Sequence, residues 1–140
     1  VAGRTATHEL ATDELVAAAF LHDVVEDCNI ALGQIELMFG KQVAAYVCEL
    51  TNIPKELRPD ANRAERKRQD RERIATISKE AKVVKLIDRI DNLREIDINE
   101  GFAKKYAEES ILLVRVLADA DPALASELEK ICVAIYLERS

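Results

Sequence analysis

Four polar groups interrupt an otherwise apolar stretch, FLHDVVED, within the first thirty residues. His22 and Glu26 stand four residues apart, Asp23 and Glu26 three, and Asp23 and Asp27 four, so a helix would set them along one stripe. Carboxylates crowded beside an imidazole on a helix that is otherwise core repel one another and cost on the order of several kcal/mol to desolvate. A divalent cation removes that objection, with nitrogen from His22 and oxygen from Asp23. The same residues also fit a core histidine next to acids on a solvated helix end. A second stretch, KLIDRIDNLRE, adds weight, because Asp88 again interrupts an apolar helix face and Asn92 follows four residues later. A ligand carboxylate and a donor/acceptor amide would then point the same way. The alternative for Asp88 is a surface acid paired with Lys85 or Arg89, worth at most about 1 kcal/mol.

The elements that must position these groups read as helices. Of 140 residues 49% are hydrophobic, and only four are Gly and three Pro, which favours an all-α fold, a compact multi-helix bundle forming one domain over residues 1–140. Asp13 to Val25 predicts a mostly buried helix with Thr12 or Asp13 as its N-cap. Ile30, Ile35, Leu37, Met38 and Phe39 predict a short helix stopped by Gly40, and Val43, Val47 and Leu50 repeat at helical spacing after it. Pro54 and Pro59 mark residues 52–62 as the one long connection. A charged helix is expected from about Ala61 to Ser78, with most of its bases on a solvated, ion-paired face and one or two facing a cleft. Further helices are expected over roughly Glu80 to Ile96, Ala103 to Ala118 and Pro122 to Glu138, the last with Pro122 in its first turn.

The formal charge of −6 and pI near 5.0 argue against general nucleic-acid binding, which needs a positive field along phosphates. A small anionic ligand stays open, because net charge does not describe one cleft. Cys28, Cys48 and Cys132 are odd in number and widely spaced, which suggests buried reduced thiols and neither a disulfide framework nor a zinc cluster. No apolar run approaches the length of a membrane span and no signal peptide is visible, so a soluble cytoplasmic protein is expected. Its acidic helical surface with exposed leucines could support a homodimer.

The segments AAAFLHDVVEDCNIALGQIELMFGKQVAAYVCELTN, RAERKRQ and KVVKLIDRIDNLREI together resemble the HD hydrolase domain of RelA/SpoT-type enzymes and their small stand-alone relatives, over about residues 1–97. The resemblance implies that His22, Asp23 and Asp88 bind one divalent metal, usually manganese, and that Glu26 and Asp27 position and deprotonate the attacking water. It implies further that Asn92 lies near the nucleoside and that Arg66 and Lys67 lie near the polyphosphate. The implied reaction is hydrolysis of a nucleotide polyphosphate, the nearest family case being removal of the 3′-pyrophosphate from guanosine tetraphosphate to leave guanosine diphosphate. Two departures stand out. The family's first metal histidine would fall about three residues before Val1, so a short N-terminal segment is expected to be missing, with His8 as a competing ligand. Asp91 occupies a position where the family usually has histidine, which leaves open an HD nucleotidase or nucleoside triphosphate hydrolase acting on another nucleotide. A non-catalytic HD module that only binds nucleotide is the third reading.

Overall fold

The computed structural model describes the backbone of residues 1–28, 31–97, 99 and 101–139, with side chains of 23–28 and 139 outside that description. Among the described residues the chain is all-α. A short α1, Ala2–Ala6, leads to α2, Asp13–Cys28, followed by α3, Leu32–Phe39, and α4, Lys41–Leu50. A single 3-10 turn, Lys55–Leu57, sits in the long connection before α5, Arg63–Ile74. The chain closes with α6, Lys79–Glu95, α7, Ala103–Leu117, and α8, Pro122–Arg139.

Local chemistry sets most of these boundaries. Thr12 Oγ1 accepts the Leu15 N–H and starts α2, while Asn62 Oδ1 accepts the Glu65 N–H and starts α5. The break between α3 and α4 falls on Gly40, whose φ of +93° lies in the left-handed region that favours glycine. The charged helix ends at Ile74, short of the expected Ser78. Thr76 turns its hydroxyl back to the Arg73 carbonyl, and Ser78 is taken instead to cap α6 through the Ala81 N–H. Glu49 of α4 fixes that cap by accepting from both the Ser78 N–H and its hydroxyl.

Two apolar clusters share one helix. Leu15, Ala18 and Ala19 of α2 pack with Ile35, Val43, Val47 and Leu50 of α3 and α4, and Ala81 and Val84 of α6 complete that cluster. On the far side of α6, Val83, Leu86, Ile87, Ile90 and Leu93 pack against α7 and α8, with Ile74 from α5. Helix α6 is therefore walled on two sides, which explains why its apolar residues, Ala81, Val83, Val84, Leu86, Ile87, Ile90 and Leu93, spread around more than one narrow face. The small Ala18 and Ala19 let α2 lie close to α4.

Side-chain exposure refines the helices read from sequence, and one expectation, a buried Cys48, is corrected. On α3 only Ile35 is buried, whereas Leu37 is 90% and Met38 72% exposed, because the helix meets the body on one narrow edge. Cys132 is buried, and burial pushes its thiol up to about 11. Cys48 is instead exposed, being one residue beyond the buried Val47 and so turned off the packed face of α4. The Cys28 side chain lies outside the described residues. No helix among the described residues is long and apolar enough to cross a membrane.

His8 and Asp121 tie the segment after α1 to the start of α8. His8 Nε2 and Asp121 Oδ2 are 2.7 Å apart, and Asp121 Oδ1 accepts the Leu124 N–H, capping α8. Burial acts to raise the Asp121 carboxyl, but the hydrogen bonds from His8 and the cap N–H groups outweigh it and hold the group below its ordinary value. A depressed folded-state pKa contributes stability that is complete above the unfolded value of about 3.9 and is lost as pH falls through the folded value. Asp121→Asn is thus expected to cost about 1 kcal/mol at neutral pH and to flatten the stability loss below about pH 4. Denaturant titrations across pH check this, and an acid limb as steep as the parent's would contradict it.

Candidate functional site

Helix α2 carries His22 on its buried stripe, four residues beyond Ala18, and the imidazole is only 4% exposed. Its Nδ1 lies 2.7 Å from the Ala19 carbonyl oxygen. A carbonyl can only accept, so Nδ1 carries a proton and Nε2 is the nitrogen able to offer a lone pair. Nε2 is turned toward Asp88 Oδ1 of α6 at 4.0 Å. That distance is too long for a hydrogen bond. It is within reach of one shared ion, since N and O donors each about 2.1 Å from a cation stand at most roughly 4.2 Å apart. The backbone carbonyl behind the imidazole is the support that metal-ligating histidines use to fix tautomer and ring orientation.

The pair was expected from sequence as two members of a larger set. Asp23, Glu26 and Asp27 lie on the same helix α2, but their side chains are outside the described residues. Among the described residues no group of three His, Cys, Asp or Glu side chains is gathered as a metal would need. His22 and Asp88 thus supply two donors that fit a divalent cation, with Asp23 the nearest candidate for a third.

A cleft of about 430 Å³ opens over this pair, lined by Lys67, Lys85 and Arg89 and also by Asp91, Asn92 and Glu95. Asn92 is exposed at its rim, its amide Nδ2 3.5 Å from the Tyr106 hydroxyl. Asp91 Oδ2 is 3.2 Å from the Val1 nitrogen. Lys67 reaches the cleft from α5, and its ammonium is pushed down by burial first and then by the neighbouring Arg89 and Arg63. Arg66 does not join it. Consecutive helical residues point about 100° apart, and the Arg66 guanidinium instead donates to the Ala61 carbonyl at 2.8 Å. The expected basic pair is therefore split, with only Lys67 on the cleft.

Of the remaining bases of α5, Arg63 and Arg68 follow the ion-paired pattern, while Arg73 donates to the Cys48 and Glu49 carbonyls and Arg71 lines a small cavity beside Lys67 and Asp70. Arg68 pairs with Glu65 and Glu72, Arg63 grips Glu109 at 2.8 and 2.9 Å, and Asp70 accepts from Arg58 at 2.9 Å. His8, the competing first ligand, is committed elsewhere: Nδ1 accepts the Leu10 N–H at 3.0 Å and Nε2 faces Asp121. Sequence reasoning missed Arg89, Lys85 and Tyr106 as cleft residues. Lys85, three residues before Asp88, bonds the Leu50 carbonyl at 2.6 Å and Asn52 at 3.3 Å. The signal for both bases was present in their positions three residues before and one residue after Asp88, where they were read only as counter-charges for it.

A family model described as "HD domain" matches residues 1–124. The chain belongs to the HD-domain family. Its relatives include the guanosine-3′,5′-bis(diphosphate) 3′-pyrophosphohydrolase MESH1 of Drosophila melanogaster, 34% identical over 131 residues, covering 91% of this chain and 70% of that protein. A solved structure described as "A metazoan ortholog of SpoT hydrolyzes ppGpp and plays a role in starvation responses" superposes with a TM-score of 0.64 at 29% identity, covering 94% of this chain and 72% of the other. The crystal structure of lmo0812 from Listeria monocytogenes EGD-e gives a TM-score of 0.74 over 97% of this chain and 96% of its own. At 21% identity that likeness speaks for the HD fold alone.

In the metal-free protein, long-range nitrogen-15 spectra of the His22 ring are expected to show protonated Nδ1. Addition of zinc is expected to shift the Nε2 resonance while leaving His8 unmoved. A metal-induced shift at His8 and none at His22 would contradict the assignment.

Proposed function

We propose that this HD-domain protein is a metal-dependent phosphohydrolase that removes the 3′-pyrophosphate of guanosine 3′,5′-bis(diphosphate), with manganese as its metal. The observation that carries the reading is the 4.0 Å approach of His22 Nε2 to Asp88 Oδ1, with Nδ1 held by the Ala19 carbonyl. The relatives' named activity supplies the substrate class.

On this reading His22, Asp23 and Asp88 hold the cation at the floor of the cleft. A divalent cation at such a site supplies Lewis acidity, lowering the pKa of a water and offsetting charge at phosphorus. Glu26 and Asp27, one turn beyond His22 and Asp23 on α2, orient the attacking water and take its proton. The P–O3′ bond breaks as the new P–O bond forms, its electron pair passing to the ribose oxygen, which collects a proton. Asn92 borders the nucleoside end of the cleft, while Lys67 faces the phosphates.

Asp91 at the cleft favours a second reading, hydrolysis of a different nucleotide, because a carboxylate there changes which groups on a base or sugar are accepted. A side-by-side nucleotide panel separates the two.

With manganese, the protein is expected to convert guanosine 3′,5′-bis(diphosphate) to guanosine diphosphate and pyrophosphate. Asp88→Ala is expected to lower turnover by at least about 100-fold and to lose retained metal, since loss of a ligand exceeds loss of a supporting contact. Ordinary activity in that variant, with metal retained, sinks the site as drawn.

A further inference from the structure

We infer that Arg89 grips the pyrophosphoryl group of the substrate, and that Tyr106 and Ser110 are positioning residues that hold its guanidinium ready in the cleft. The inference rests on the hydrolytic reading above and names the part of the site that binds the released product.

Arg89 follows Asp88 directly on α6 and lines both the main cleft and a narrower cavity of about 50 Å³ that continues from it toward Lys67 and Asp70. The guanidinium carbon lies 4.6 Å from the centre of the Tyr106 ring, and NH1 donates to Ser110 Oγ at 3.1 Å. Ser110 spends its own proton on the Tyr106 carbonyl at 2.7 Å, so its hydroxyl oxygen meets Arg89 with a lone pair. Tyr106 and Ser110 are one turn apart on α7, and Ser110 is fully buried. Face and edge of the guanidinium are therefore both held, and neither contact neutralises its charge.

Nearby arginines differ in whether they hold a carboxylate, and Arg71 on the same small cavity has none within ion-pair distance among the described residues. Arg58, Arg63 and Arg68 each hold a carboxylate. Among the described residues no carboxylate comes within ion-pair distance of Arg89 or of Lys67. The acids nearest Lys67, Asp70 and Glu109, are each engaged by Arg58 and Arg63. Two half-buried cations that repel each other, one of them fixed at two points, give a pair of adjacent positive groups suited to an anion bearing more than one charge, beside the carboxylates of Asp88 and Asp91. A diphosphate offers oxygens enough for the remaining guanidinium N–H groups and for Lys67 together.

The test is calorimetric titration of inorganic pyrophosphate into the metal-free protein. Arg89→Gln is expected to weaken binding at least about tenfold, as for loss of a charge-assisted bidentate contact, and Ser110→Ala to weaken it by a smaller factor. Arg89→Lys should recover part of the loss. Arg94→Gln removes the same charge from an exposed arginine paired with Glu127, and is expected to leave binding within about twofold. In the manganese assay Arg89→Gln should raise KM for guanosine 3′,5′-bis(diphosphate) more than it lowers kcat. Undetectable binding by the parent, binding by Arg89→Gln within twofold of the parent, or an equal loss in Arg94→Gln overturns the inference. A parent that binds pyrophosphate through Arg89 yet hydrolyses none of the nucleotide leaves this site standing and removes the hydrolytic reading. An active parent with an unchanged Arg89→Gln KM and pyrophosphate affinity does the reverse.

Discussion

Helix α6 is clamped between two apolar clusters, and that clamp decides where Asp88 can be. Val84 and Ala81 bind it to the α2–α4 side, while Leu86, Ile87, Ile90 and Leu93 bind it to α7 and α8. A helix held on two sides has little freedom to roll, so the one acid in its middle is fixed in rotation as well as height. His22 meets it because α2 buries the same stripe that carries Leu15, Ala18 and Ala19. The juxtaposition of an imidazole and a carboxylate 4.0 Å apart is thus a product of core packing, made by residues that touch no ligand.

The cleft gathers bases that the acidic protein as a whole lacks in excess. The whole chain carries a formal −6, whereas Lys67, Lys85 and Arg89 line the cleft together with Asp88, Asp91 and Glu95, three bases against three acids. An acidic exterior discourages long polyanions, while bases gathered on one cleft can receive a compact one. Helices α5, α6 and α7 each contribute, and Tyr106 and Ser110 of α7 keep the Arg89 guanidinium facing inward. Recognition of phosphate and placement of the candidate metal pair therefore share α6 as a common scaffold.

Much of this was legible in the sequence. Helical periodicity located α2, α4, α6, α7 and α8 within a few residues, and the capping groups Thr12 and Pro122 stood where the pattern placed them. The spacing of His22 with respect to Asp88 carried no distance, and only the resemblance to HD hydrolases suggested that they meet. Other features depend on rotation about a helix axis or on tertiary partners. Arg66 and Lys67 are neighbours in sequence but diverge in space, and α1 is too short for periodicity to reveal. Ser78 left the charged helix because Glu49, far away in the chain, claimed it for the next cap. Arg89 looked like a counter-ion for Asp88 until Tyr106 and Ser110 were seen to hold it.

The most direct measurement is anomalous diffraction from crystals of the protein soaked in manganese. The account requires one strong peak between His22 Nε2 and Asp88 Oδ1, about 2.0 to 2.3 Å from each. A peak elsewhere on the chain, or a fully occupied ion that leaves either of these side chains outside its coordination sphere, would contradict it.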